Sequence, residues 1–355
     1  MAAAMLFLFF ADATGAGRAA GKAAQVDQLF RNFAGKAPGA SVIVIGDGRT
    51  ILRESYGLAN LEEKRKATPR TAYRLASLSK QFTALAVLML AERGQLSLDD
   101  DLTRFFRDFP AYGKQIRIRH LLAHTSGSLA YEDLMPGDAT EPVLDRDVLE
   151  ILKRQDRTYF APGSQFRYSN SGYALLACIV ERVSGVAFPE FLKRNIFTPL
   201  GMRGTYMNLR GAAENSRRAY GYTKRSDVYE RTDQSMTSYV LGDGGIYSSV
   251  EDLAKWERAL LGARLVRRET LEQAMAPQIA TGGGGDGVGY GYGWHVGKHR
   301  GLRAAWHEGT TVGFRNFYLR IPEKKLAVII LANRSDARPE ELARAVMDLF
   351  LEKAP

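Results

Sequence analysis

The sequence predicts an α+β fold: an antiparallel sheet flanked by helices, built from both ends of the chain, with a helical lobe inserted between them. Three observations predict it. Strand-like runs open the chain, from Ser41 to Gly48 and from Thr50 to Tyr56. The stretch from Leu98 to Lys193 has helical patterning and few strand-like runs. Strand patterns return after about Tyr239 and continue nearly to the C-terminus. A sheet that borrows from both ends accommodates that order.

Taken in order, Ala24 to Phe33 reads as a helix. Ser41-Val42-Ile43-Val44-Ile45 is an apolar, β-branched run ending in the turn residues Gly46-Asp47-Gly48, so a hairpin with Thr50–Tyr56 is expected. Ser79 to Arg93 is the strongest helix, because Ala84 to Ala91 is apolar on every face and must be buried all round. Gly94 ends it in the left-handed conformation that a helix C-terminus favours. Val288 to Trp294 alternates large and small residues with period two and reads as a strand. Arg303–Trp306, Phe314–Ile321 and Leu326–Asn333 continue the sheet, with a turn at Pro322-Glu323-Lys324, and Pro339–Leu351 closes as a helix.

The 355 residues are 45% hydrophobic and 25% charged, as in a globular domain. One large domain, or two interlocked lobes, suits that length. The domain is expected over 25–355, with a sheet lobe of about 25–75 plus 235–355 and a helical lobe of about 76–234. The net charge of +10 comes from scattered pairs such as Arg217-Arg218, Lys224-Arg225 and Arg267-Arg268. That is a solvated basic surface, and no nucleic-acid partner is expected. Cys178 is the only cysteine and lies in an apolar run, so it is read as a core thiol and no disulfide is available. Residues 1–24 are read as a leader: Met5 to Phe10 is apolar but too short to span a bilayer, and Ala11-Asp12-Ala13 suits a cleavage site. The expected location is therefore periplasmic or secreted, near the cell envelope, although no basic residue precedes Arg18.

Three short motifs bear on chemistry. Ser77-Leu78-Ser79-Lys80 sits where the buried helix begins, so Ser77 and Lys80 fall one turn apart on one face. A serine hydroxyl needs a base, and a desolvated lysine supplies one; the helix N-terminus adds backbone N–H groups for an oxyanion. The plain alternative makes Ser77 a helix cap and Lys80 a solvated cation. Tyr168-Ser169-Asn170 precedes another apolar helix, and its first and third side chains share one side of an extended segment. A capped helix start accounts for it equally well. His307-Glu308-Gly309 follows Trp306 at an expected strand end, where Gly309 would let backbone approach a ligand and the Thr310 N–H could join an oxyanion hole.

In this order, S-x-x-K, Y-x-N and H-x-G resemble the three motifs of the class C β-lactamase and D-alanyl-D-alanine carboxypeptidase (penicillin-binding-protein) superfamily. His120 to Gly127 and Gly244 to Ser249, leading to Asp252-Leu253-Ala254, resemble supporting stretches of its β-lactamase-related members. The likeness runs from about Asp27 to the C-terminus. It implies a serine hydrolase acting on a β-lactam, D-amino-acid peptide or small ester through a Ser77 acyl-enzyme, without a cofactor. Lys80 and Tyr168 would share the base and acid work, Asn170 would bind the substrate amide, and the N–H groups of Ser77 and Thr310 would hold the oxyanion. His307 and Gly309 join the substrate-binding set as the third motif. Which of Lys80 and Tyr168 first deprotonates the serine stays open. The third motif departs from the K-T-G usual in class C β-lactamases. Glu308 would add negative charge if it faced the pocket, and Arg315 either supplies a replacement cation or points outward. A noncatalytic penicillin-recognising sensor or scaffold is the alternative reading.

His120 and His124 are four apart, but Leu121 stands where a metalloprotease has glutamate, so a structural role around Thr125-Ser126-Gly127 is expected and no metal. Gly282 to Gly287 matches G-x-G-x-x-G yet leads into a strand pattern, which argues for a surface loop. Tyr290, Tyr292 and Trp294 are expected to pack on the sheet.

Overall fold

A computed structural model describes residues 13–137, 140–282 and 287–351. Residues 1–12 of the leader expected over 1–24, and residues 283–286 of the glycine-rich loop, lie outside the described residues. The chain opens with α1 (Ala13–Leu29) and a single turn of 3₁₀ helix, Arg31–Phe33, so the first helix starts earlier and ends sooner than the apolar pattern predicts.

Eight antiparallel strands form the main sheet: β1 (Ala40–Gly46), β2 (Arg49–Tyr56), β3 (Ile279–Ala280), β4 (Gly289–Tyr290), β5 (His295–His299), β6 (Leu302–Thr311), β7 (Phe314–Ile321) and β8 (Leu326–Ala332). Their order across the sheet is β3-β4-β5-β6-β7-β8-β1-β2, so the N-terminal hairpin docks on the last strand and both chain ends build one sheet. β1 and β8 lie inside the sheet and are almost wholly buried, which is why both are nearly continuous runs of apolar residues.

Alternation sorts side chains between two cores. Val42, Val44, Trp306, Phe317 and Leu319 face one way, onto Val26 of α1, Phe30 just after it, and Val346 and Met347 of α5 (Pro339–Leu351). Ile43, Ile45, Tyr318 and Ile329 face the helical lobe. There lie α2 (Lys80–Glu92), α3 (Asn170–Ser184) and α4 (Val250–Leu261). α2 is buried from Lys80 to Leu90, as its all-round apolar sequence requires, and Gly94 follows with φ +68°. Cys178 is buried in α3. Among the described residues no helix is long and apolar enough to cross a membrane.

Two strand expectations are corrected. Val288–Trp294 does not run as one strand, because Gly291 to Trp294 forms the turn between β4 and β5, closed by Gly291 N–H to the Trp294 carbonyl at 2.8 Å. Gly293 makes that turn possible: its φ is +79°, and a Cβ there would stand 2.9 Å from the Lys80 carbonyl oxygen. β6 also continues five residues past Trp306, so the His307-Glu308-Gly309 motif lies within a strand, not after one.

Candidate active site

The site forms where the N-terminal end of α2 meets β6 and the start of α3. Tyr73–Arg74 pairs with Ile246–Ser248 in a small three-stranded sheet, and the chain then turns sharply into the helix. Ala76 makes the turn with φ +50°, a left-handed conformation that costs a non-glycine residue about 1–2 kcal/mol. The surroundings hold it there. Leu75 N–H donates to the Ile246 carbonyl at 2.8 Å, and Asn316 Nδ2 of β7 donates to the Arg74 and Leu75 carbonyls at 2.8 and 3.2 Å. Ser77 follows inside a 3₁₀ turn, Ala76–Ser79, whose cap position is Leu75, while Ser79 holds the cap position of α2, so Ser77 is not the helix cap.

Lys80 is fully buried, yet its ammonium donates only to neutral oxygens: Ser77 Oγ at 3.1 Å, Asn170 Oδ1 at 2.8 Å and the Asp243 carbonyl at 2.9 Å. Burial pushes its pKa down to about 8, while the nearby charges of Asp243, Glu132 and Glu308 resist that fall. Because lysine only donates, Oδ1 of Asn170 must face it, and Nδ2 then donates to Glu132 Oε1 at 2.8 Å. A chain Ser77–Lys80–Asn170–Glu132 results.

Tyr168 lies above this lysine, its ring centroid 4.9 Å from Nζ. Burial drives its hydroxyl well above the ordinary tyrosine pKa, partly offset by the nearby Ser77 hydroxyl. Among the described residues that phenol oxygen has no hydrogen-bond partner of regular geometry. Ser169 caps α3 by accepting from Gly172 N–H at 3.1 Å, so the segment both caps a helix and presents two site residues. His124 explains the position of Tyr168. Its ring lies 4.2 Å from the Tyr168 ring, its Nδ1 accepts from Ser169 N–H at 3.1 Å, and its carbonyl accepts from Arg167 N–H at 2.9 Å. Burial holds its pKa well below the ordinary histidine value, so it is neutral. The structural role expected for the His120–Gly127 stretch is therefore specific, with His124 at φ +58° supporting the Tyr168 loop.

The third motif is placed differently from its expected roles. His307 is wholly buried, with Nε2 3.0 Å from the Tyr290 hydroxyl and Nδ1 2.6 Å from the Glu308 carbonyl, so both nitrogens are engaged by the protein itself. Its pKa is lowered to about 4 by burial. Gly309 serves close approach to protein rather than ligand, since a Cβ there would stand 2.1 Å from the Leu75 carbonyl oxygen. Glu308 projects where pairing with β5 has stopped, and its Oε2 lies 3.6 Å from His295 Nε2. Burial opposes its ionisation, but His295 and His307 outweigh it and bring the carboxyl down to about 2; the side chain is 47% exposed, and solvent screening weakens that pairing. Thr310 is exposed in β6 opposite Arg315. The Arg315 guanidinium donates to the Thr311 and Phe314 carbonyls at 2.6 and 2.7 Å, so it braces its own turn.

Sequence reasoning missed Glu132, Asp243 and Asp145. Asp243 is buried, accepts from the Tyr131 hydroxyl at 3.4 Å, and has its carboxyl raised to about 6 by burial. Asp145 takes the Leu241 and Gly242 N–H groups at 2.8 and 2.9 Å and is raised to about 8 by burial. Asp243 directly precedes the Gly244-Gly245 stretch, a signal that was readable; Glu132, exposed beside the buried Tyr131, belongs to no motif and offers none. Cavity size does not locate this site: a cleft of about 710 Å³ lies near Phe33, Arg334 and Leu342, remote from its chemistry.

This α+β domain thus brings a serine, a buried lysine and a tyrosine together at one helix start. The chain belongs to the Beta-lactamase family, whose model matches residues 26–351. It is 32% identical over 337 residues to Penicillin-binding protein 4* of Bacillus subtilis, covering 91% of this chain and 74% of that protein. Protein flp of Staphylococcus aureus is 28% identical over 318 residues, which are 87% of this chain and 62% of flp. Among solved structures, the octameric penicillin-binding protein homologue from Pyrococcus abyssi superposes with TM-score 0.81 at 30% identity, over 95% of this chain and 77% of that one.

Proposed function

We propose that this protein hydrolyses amide or ester bonds through an acyl-enzyme on Ser77. The observation that carries the reading is the Lys80 ammonium, buried among neutral oxygens and 3.1 Å from Ser77 Oγ. A lysine with a pKa near 8 is neutral in part of the molecules at neutral pH, and the neutral amine accepts the serine proton. Tyr168, with its pKa driven upward, stays protonated, so Lys80 is the acylation base and the phenol a donor toward the leaving group.

As Oγ bonds to the carbonyl carbon, the bond to the leaving amine or alcohol breaks, and that group departs with the serine proton relayed through Lys80 and Tyr168. Water then attacks the acyl carbon, releases the acid and returns the proton to Ser77. The N–H groups of Ser77 and Thr310 are the proposed oxyanion donors.

The test is intact-protein mass spectrometry after mixing with a p-nitrophenyl ester or a penicillin, wild type beside Ser77→Ala. An acyl adduct on wild type alone is expected, and its lifetime reports deacylation. Near-wild-type turnover by Ser77→Ala would overturn the mechanism.

A further inference from the structure

We infer that Asp145, which belongs to none of the three motifs, is a positioning residue for the reaction: it clasps the Leu241–Gly244 turn that carries Asp243 to Lys80. The inference rests on the Ser77 acyl-enzyme reading with Lys80 as its base, and adds a residue to it.

Asp243 meets the lysine in two ways. Its carbonyl accepts from Nζ at 2.9 Å, and its carboxyl supplies the largest charge that favours the ammonium. Both depend on where the turn lies. Leu241–Gly244 is a single helical turn with glycine at two of its four positions, and one isolated turn does not hold itself together. A helix start also leaves its leading N–H groups without partners inside the helix. The capping position here is Val240, whose side chain has no acceptor to offer them.

Asp145 supplies those acceptors from another helix. Its Oδ2 accepts from Leu241 N–H at 2.8 Å and its Oδ1 from Gly242 N–H at 2.9 Å, so one carboxyl spans both leading groups. It opens the helix Asp145–Lys153, which is anchored by buried Val148, Leu149 and Leu152. Just before it, Val143 N–H donates to the Met236 carbonyl at 2.9 Å and Leu144 bridges to Tyr239, which fixes Asp145 against the chain entering the turn. On the other side Thr83 Oγ1 of α2 donates to the Gly242 carbonyl at 2.7 Å. Gly242 also sits so close to α3 that a Cβ there would stand 2.3 Å from the Tyr173 carbonyl oxygen. The charges that act most strongly on Lys80 are those of Asp243, Glu132 and Glu308, and the rings of Tyr168 and Tyr173 lie beside its ammonium. Asp145 therefore reaches the base through the turn. Its own carboxyl, raised to about 8 by burial, has Asp243 and Glu181 as its neighbouring charges.

The experiment follows p-nitrophenol release in the first turnover of p-nitrophenyl acetate as a function of pH, in wild type, Asp145→Ala, Asp243→Asn and the double variant. Asp243→Asn alone moves the rising limb to lower pH by roughly one unit. Asp145→Ala is expected to move it the same way by a similar amount and to lower the plateau about 10-fold, because the carbonyl and the carboxyl leave the lysine together. In the double variant the two shifts do not add, since the residue at 243 is no longer held where it acts. Asp145→Asn keeps one acceptor and shifts the limb less than Asp145→Ala. An unmoved or upward-moved limb in Asp145→Ala, or shifts that add in the double variant, overturns the inference. So does an Asp145→Asn limb displaced as far as that of Asp145→Ala, which would mark lost charge as the cause. A limb that vanishes in Asp145→Asn does the same, by making Asp145 itself the titrating group. Should Asp145→Ala fail to fold, the single and double variants built on Asp145→Asn carry the comparison. Labelling of Ser77 by the ester separates the two readings: labelling with additive shifts sinks only this one, and no labelling of wild type sinks both.

Discussion

Two of the buried cations in this molecule, Arg320 and Lys80, are accommodated in opposite ways. Arg320 of β7 is 3% exposed and pairs at 3.1 Å with Glu257 of α4, itself 1% exposed, while the Tyr318 hydroxyl donates to the same carboxylate. Its Nη1 donates to Met275 Sδ at 2.8 Å, and the guanidinium carbon stands 5.9 Å from the centre of the Trp294 ring. Lys80 is more deeply buried yet has only a hydroxyl, an amide oxygen and a carbonyl as acceptors. A buried charge needs an opposite charge or must lose its proton. Arginine cannot lose its proton and receives a carboxylate; lysine can, and is left without a direct one. The difference marks the first pair as architecture between sheet and helix and the second as chemistry.

The comparison breaks most sharply if Lys80 is made unable to release its proton. Lys80→Arg keeps the charge and is expected to lower the acylation rate by about 10²–10⁴, followed as p-nitrophenol release in the first turnover. Retention of most activity would mean that the charge and not the neutral base matters. The Arg320 pair answers to a different measurement. Glu257→Gln strands a buried guanidinium and should cost about 3–5 kcal/mol by urea denaturation, with Lys80 still in its own surroundings. A cost below about 1 kcal/mol would show that water or Tyr318 replaces the carboxylate.

The smallest effect is the most diagnostic. Wild-type acylation should rise as pH passes about 8, because deprotonating Lys80 creates the base. Asp243 supplies the largest charge that favours the ammonium, so Asp243→Asn removes an anion, eases deprotonation and moves that limb to lower pH by roughly one unit. A limb that stayed in place, or moved upward, would argue that another group controls it. Since Lys80 and Asp243 interact, the midpoint belongs to the pair.

Much of this was legible before folding. The strand and helix order followed from periodicity, and α5 and β7 occupy the ranges their patterns predict. Ser77 and Lys80 share a helix face because three residues make nearly one turn, a relation set by local geometry alone. The Val288–Trp294 alternation misled for a local reason as well: its glycines serve a turn and close backbone approaches, which period-two reasoning reads as a strand. The third motif misled for a longer-range one, since nothing near Gly309 in sequence reveals that Leu75 passes over it.

By itself the sequence determined the elements, their order, and which residue types could supply a nucleophile and a base. Only tertiary structure decided that Lys80 is ringed by neutral oxygens, that His307 is bound to Tyr290, that Arg315 braces its own turn and that Glu132 meets Asn170. The reason is physical. Periodicity and turn chemistry act over a few residues, whereas desolvation and charge depend on groups brought together from 38, 90 and 163 residues apart.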